Sequence, residues 1–476
     1  VKEAVMARLP DDPDLGWLRK RAKDLRREHP DRRLADAQRE LARHLEFPSW
    51  PALKRHVELR RAYRRAPDQV EEQGDPADEF LRLTCLTYGA DDPERRHRAS
   101  VLGTGLPTGD HVHLAAARAD TAALRRILDH EPGAATIEGG PFRWAPLAYL
   151  AYARPDPVPA EADTLEAARL LLDHGADPDT GYLWHGLPSP FTALTGCFGE
   201  GEMGPVAQPE HPHGFALARL LLERGADPND GQTLYNRGFR ADDRHLELLL
   251  EFGLGTGDGG PWKRRLGRAA MSPTEMVRRQ LGWAVVRGMA ARVELLVTHG
   301  ADPTASVDMY GVRAPSAYAA ALVAGQPGVA AVLERLGATG GDVRPEDMTV
   351  AAVLAGEPVE EADARAAIAH RPGLVAWAAE HGNHVGLRRA VELGWDVDRR
   401  ARTDVPSDEP WQTGLHAAAA HGDLATVALL LDLGADPTVI DARFGATPQD
   451  WAEHEGHPEV AAFLDEHGRL PRPAEE

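Results

Sequence analysis

Two pairs of histidines stand two residues apart, His111/His113 and His211/His213, and the second pair follows Glu210 directly. In extended backbone, neutral imidazoles at that spacing can share a divalent ion, and Glu210 would add an oxygen ligand. Nothing nearby completes the ligand set, so Glu210, His211 and His213 specify a metal only in part. The His454-Glu-Gly-His457 run places its imidazoles three apart, not the four of a zinc hydrolase helix. Cys85 and Cys197 are too few for a disulfide framework or a thiolate cluster. Neither has a nucleophile's flanking signature, and there is no Gly-x-Ser-x-Gly elbow. Gly103-Thr104-Gly105 and the run Gly253-Leu-Gly-Thr-Gly257 lack the lysine and the strand-to-helix setting of a phosphate loop. Lys263 follows the second run only after Asp258, and that run reads as a flexible finger. Local motifs therefore name no catalytic residue and call for no cofactor. A pocket gathered from separated segments leaves no local motif, and His185, His211, Tyr235 and Arg237 are its candidates.

The elements that would position these residues follow from composition and periodicity. A chain of 476 residues is too long for one compact core, so several domains or a repeat array is expected. No apolar run reaches the roughly 18–20 residues that cross a bilayer, and the first residues are too charged for a signal peptide. With only two cysteines, these features predict a cytoplasmic protein with no membrane contact. The formal charge of −20 argues against a nucleic-acid partner, because phosphate binding needs a concentrated positive field. The cations are concentrated early (Arg19, Lys20, Arg21, Lys23, Arg26, Arg27, Arg32, Arg33) and read as solvated helix faces.

Self-similarity fixes the main architecture. ARLLLDHGADPD ends at Asp179, ARLLLERGADPN at Asn229, VELLVTHGADPT at Thr304 and VALLLDLGADPT at Thr438. Weaker copies lie near Gly253, Gly337 and Gly394. Each reads as a helix with Leu and Val on one face, stopped by a glycine that takes the left-handed conformation. The Ala-Asp-Pro that follows leaves the helix, since Asp favours a turn and Pro cannot continue one. Matching first helices precede them in Trp411–Pro437 and in Gly445–Gly468, the latter opening on Thr-Pro. With TGLHAAA at Thr413–Ala419 and EGHPEV at Glu455–Val460, this pattern resembles the ankyrin repeat of about 33 residues, a turn and two antiparallel helices. The resemblance extends over roughly residues 107–470, some nine or ten units with degenerate copies in the middle. It implies that His113 and His416 hydrogen-bond adjacent turns, that His457 occupies another consensus position of the repeat, and that Trp144, Trp377 and Trp451 belong to the core.

The array is interrupted at Gly181–Gly214, at Gly231–Pro273 and at Arg399–Pro410, each read as falling between an outer helix and the next inner one. In ankyrin proteins that connection is the finger bordering the concave face, where insertions leave the stack undisturbed. The finger tips are then Tyr182, Trp184 and His185; Tyr235, Asn236 and Arg237; Met309, Tyr310 and Arg313; and Arg443 and Phe444. Aromatic and arginine side chains on loops are what binding hot spots use.

Ahead of the array, Leu15, Leu18, Ala22 and Leu25 recur at helical spacing, as do Leu34, Ala37, Leu41 and Leu45. Ser49 is placed to cap a third helix over Ala52–Tyr63. LRKRAKDL and LADAQRELARHLEFPSWPALKRHV resemble a small helical module that precedes ankyrin arrays in bacterial proteins. Residues 77–102 suggest two further helices that cap the first repeat. The expectation is an all-α protein: an N-terminal helical bundle over 1–66, a helical linker or cap over 67–106, an ankyrin-type solenoid with long finger-loop insertions over 107–470, and a disordered tail over 471–476. Its expected role is a binding scaffold for a protein or peptide along the concave face. The alternative is an enzyme, or a small-molecule or metal binder, whose pocket forms where 181–214 and 231–273 cover the groove.

Overall fold

A computed structural model describes residues 9, 14–28, 33–89, 93–309, 312–338, 343–401 and 410–468. The described residues are mostly helical and divide into two compact units, Val1–Met276 and Val277–Glu476. Five short strands qualify the all-α expectation: β1 (Arg64–Arg65), β2 (Gly181–Trp184), β3 (Pro190–Thr192), β4 (Val307–Met309) and β5 (Val312–Ala314). No helix among the described residues is long and apolar enough to cross a membrane. Residues 471–476, expected as a tail, lie outside the described residues.

The repeat is built by one local device used seven times. In each copy the residue four positions before the terminal glycine is fully buried: Leu171, Leu221, Leu249, Leu296, Leu333, Ala390 and Leu430. The carbonyl of that residue accepts from the residue after the glycine, as in Ala176 N to Leu171 O and Ala435 N to Leu430 O. The seven glycines themselves all have φ between 89° and 100°. This is the Schellman closure, which satisfies carbonyls the helix leaves orphaned. The copies near Gly253, Gly337 and Gly394 make it as fully as the four GADP copies do, with Trp395 N to Ala390 O at 3.0 Å. The following Asp folds the chain over itself: Asp177, Asp227, Asp302, Asp396 and Asp436 each accept, through Oδ1, the N–H two residues on. Gly253–Gly257 is thus a helix end with Leu254 buried, and not a free finger.

In the first unit, helices Leu15–Glu28, Leu34–His44 and Trp50–Tyr63 pack around Leu18, Ala22, Leu41, Leu53 and Val57. Ser49 caps the third by accepting from Ala52 N. Helix Pro76–Thr84 packs on helix Val112–Ala117. The chain after it also runs against the next repeat, with Arg154 N donating to Thr84 O and Leu86 N to Tyr152 O. The helices Val112–Ala117, Pro146–Tyr152, Ala193–Phe198 and Gly231–Asn236 form one layer, and Thr121–His130, Glu161–Asp173 and Gly214–Glu223 the other. In the second unit, Leu374–Glu380, Gly414–Ala420 and Pro448–His454 stack against His384–Glu392, Leu424–Asp432 and Pro458–Gly468.

Two of the expected loop insertions differ from expectation. Segment 231–273 is largely helical, because Asp230 accepts from Gln232 N and Thr233 N and starts a helix where a loop was expected. In 181–214 the finger is a short hairpin of β2 and β3, and the inner helix begins at Ala193. The remaining excess, 199–213, therefore joins the two helices of one pair and is not part of the finger. Of Arg399–Pro410, residues 402–409 lie outside the described residues.

Candidate functional site

The first finger is docked inward. Its strand β2 pairs in parallel with β1, Arg64 opposite Leu183 and Arg65 opposite Trp184. Arg60 Nε donates to Gly186 O at 2.6 Å and His185 N to Arg65 O at 2.8 Å. Tyr182 is 1% exposed and stacks on Trp144 at 4.9 Å, so its ring has no surface to offer a partner. Trp184 is half-buried and its indole donates to Thr87 O, while His185 Nε2 meets Asp68 Oδ1 at 2.8 Å. The aromatic residues expected at an exposed tip instead pack inward, Tyr182 on Trp144 and Trp184 at Thr87, while the finger's backbone and Leu183 join it to the N-terminal bundle.

The second group divides. Asn236 is buried and accepts from Gln232 Nε2. Arg237 is 1% exposed and pairs with Glu200 at 2.6 Å, Asp242 at 2.7 Å and Glu210 at 3.3 Å. Three carboxylates around one guanidinium offset the cost of burying its charge. Asp242 is held well below the usual carboxylate range, first by the Arg244 hydrogen bond. Asp230 is buried among Thr192, Thr195 and two backbone N–H groups, and burial raises its pKa. Tyr235 stays on the surface, its hydroxyl bonded to Glu202 and its ring 5.2 Å from the exposed Phe239.

The histidine pair does not converge. His211 is buried and its Nδ1 accepts from His213 N, while His213 Nε2 faces Pro159 O. The rings lie 6.0 Å apart, and Glu210 is turned to Arg237 and Arg244. Burial, then the Arg154 charge, holds His211 well below its ordinary pKa and therefore neutral. The pocket candidates His185, His211, Tyr235 and Arg237 each serve a different partner. None lines the cavity of about 40 Å³ beside Arg154 or the one of about 10 Å³ beside Trp144. His113, His416 and His457 each reach a backbone carbonyl of a neighbouring turn: Ile137, Ala446 and Ala420. Trp144 and Trp377 are buried, and Trp451 half-buried.

A different group does cluster: Asp75, Asp78 and His111 hold their polar atoms within 4.8 Å of one another. Yet His111 Nδ1 accepts from Leu114 N, which places the proton on Nε2, facing Asp78 at 3.4 Å. A metal at Nε2 would need that proton removed from an imidazole already using its other nitrogen as an acceptor. Asp75 and His111 each cap a helix, and Asp78 faces His111.

In the second unit β4 and β5 form a hairpin that buries Met309 and exposes Arg313, which pairs with Asp308 at 3.2 Å. Tyr310 lies outside the described residues. Further along the chain, Arg443 and Phe444 stand on a turn organised by Asp441. This carboxylate is 2% exposed and accepts from the backbone N–H groups of Arg443, Phe444 and Ala446 and from the Trp451 indole. Burial alone would raise its pKa, but these four donors pull it below the ordinary value. Phe444 is 61% exposed, packs edge-on against Trp411 and Trp451, and carries the Arg443 guanidinium over its ring at 5.3 Å. Ile440, four residues earlier in the chain, is also exposed, and sequence reading missed it. The available signal was Asp441 two residues before Arg443, the same spacing that marks the Asp turns of the repeats.

Residues 411–442 match the family model of the ankyrin repeat. Diacylglycerol kinase iota from Rattus norvegicus and from Homo sapiens is 33% identical to this chain over 92 residues, 19% of the chain and 8% of each relative. The chain thus spans less than a tenth of the length of these curated relatives.

Proposed function

We propose that this protein is an interaction scaffold that holds a protein or peptide partner, with the Arg443–Phe444 tip as its principal anchor. The observation carrying this reading is a large exposed aromatic ring on a backbone that is already fixed. Four hydrogen bonds to buried Asp441 set the turn, so little ordering entropy is lost when a partner covers the ring. Arg443 over Phe444 combines contact area with directional donors, the composition of binding hot spots. The ankyrin match at 411–442 ends at the edge of this tip and supports a protein partner. Arg313 and the Tyr235–Phe239 pair are secondary contact candidates, each within its own unit.

The test is affinity capture from a native lysate with the wild type and with Phe444→Ala plus Arg443→Ala, read by mass spectrometry. Loss of a hot-spot pair is expected to weaken retention of the specific partner by at least about tenfold with helical circular dichroism unchanged. Equal retention by both proteins would remove the tip from the interface.

A further inference from the structure

The cavity of about 40 Å³ in the first unit is walled by residues 83–89, by Arg95 and Arg96, by Arg154, and by residues 207–209 of the excursion between paired helices. Its lining contains three arginines and no carboxylate, in a chain whose net charge is −20. Arg154 is 8% exposed, and its hydrogen-bond partners are all neutral carbonyls: Pro209, Ala151, Ala153 and Gly196. These bonds use four of its five N–H groups. Burial lowers its pKa only to about 10, so it remains charged at neutral pH. The groups acting most strongly on it (Tyr88, Cys197, Cys85 and Tyr152) are uncharged there, since burial pushes Cys85 up to about 12 and the others up as well. A buried cation ordinarily has an anion beside it.

Further donors share the cavity. Thr84 is 1% exposed, and its hydroxyl has no hydrogen-bond partner among the described residues. The backbone N–H groups of Thr87, Tyr88 and Gly89 likewise find no acceptor among the described residues. Tyr88 has a left-handed φ of 57°, the kind of turn that lets successive N–H groups face one anion. Arg96 reaches over from its helix, donating to Val206 O at 2.9 Å.

We propose that this cavity binds a small inorganic oxyanion of the phosphate or sulfate class, held by Arg154, Arg96, the Thr84 hydroxyl and the 87–89 amides. The volume sets the class. About 40 Å³ is room for roughly three water-sized spheres, which matches one compact oxyanion and is far below the several hundred Å³ of a metabolite pocket. The anion would neutralise Arg154 and tie the linker at 84–89 to the excursion at 207–209.

The test uses the full chain, titrated with inorganic phosphate and separately with sulfate, at ionic strength matched with chloride. Thermal unfolding is followed, and equilibrium dialysis of labelled phosphate gives the stoichiometry. A saturable rise in Tm and one anion per chain are expected, and the two titrations rank phosphate against sulfate. General salting effects of these ions rise without saturating and are common to wild type and variants. Arg96→Gln, at an exposed position, and Thr84→Val, nearly isosteric, should keep wild-type circular dichroism and each weaken binding about tenfold, the worth of one charge-assisted hydrogen bond. No saturable response to either anion would overturn the proposal. So would weakening by Arg96→Gln alone, which would place the anion on the surface and outside the cavity.

Discussion

Gly434 illustrates how single residues define the repeat. Its φ of 93° is left-handed, and the space around its Cα is open, so a side chain there meets backbone strain and no neighbour. Gly434→Ala is expected to cost about 1 kcal/mol, and Gly434→Asn less, as measured by urea unfolding; equal stability of all three would refute the left-handed requirement. Asp179 sets up a pH effect. Burial is the first cause that raises its pKa from 3.8 to about 6, and nearby Asp177, Asp227 and Asp230 add to the rise. A raised folded-state value means that its stabilising contribution is full below the unfolded pKa near 4 and is lost as pH climbs through 6. Asp179→Asn keeps an acceptor for Asp227 N without the charge. Its Tm should exceed the wild type's at pH 7.5, by roughly 2–4 °C for each kcal/mol relieved, and the gap should close by pH 4. A gap independent of pH would assign the effect to something other than this carboxyl.

At the scale of elements, what the sequence made legible was local. The glycine stop, the Asp turn and the Thr-Pro start each act within five residues, and all are found where their letters stand. His416 is such a case: it shares a reciprocal cap with Thr413 and clasps Ala446 O. His416→Ala should therefore lower stability by about 1–3 kcal/mol in denaturant titration, and a neutral result would mean the clasp is dispensable. The docked finger was illegible because its partners are remote in sequence. His185 and Asp68 are 117 residues apart, and a two-residue strand such as Arg64–Arg65 leaves no periodicity to read. Tyr182 and Trp184 looked like a binding tip because aromatic residues on a finger carry the same letters whether they face solvent or a neighbouring element. Arg237 and Asn236 misled in the same way: burial of Arg237 depends, besides nearby Asp242, on Glu200 and Glu210 brought in by another segment. Trp184→Ala is accordingly expected to destabilise the protein by removing a packed ring and its bond to Thr87 O, and loss of partner retention without loss of stability would restore Trp184 to the surface.

For the whole molecule, the chain divides into two compact units, and repeat stacks are stabilised between nearest neighbours. Heat should unfold the chain in more than one step, giving a calorimetric enthalpy larger than the van't Hoff value; a ratio of one would show a single cooperative block. The pairing of β1 with β2 has a further consequence during synthesis. The N-terminal bundle leaves the ribosome with Arg64 and Arg65 unpaired, and the strand that completes it follows more than a hundred residues later. At about 5–20 residues per second that interval is on the order of ten seconds. Throughout it the nascent bundle presents an open edge and the bare apolar face at Leu59 and Tyr63 that Leu183 will cover, so the vulnerable period of this protein falls before its fourth repeat has been translated.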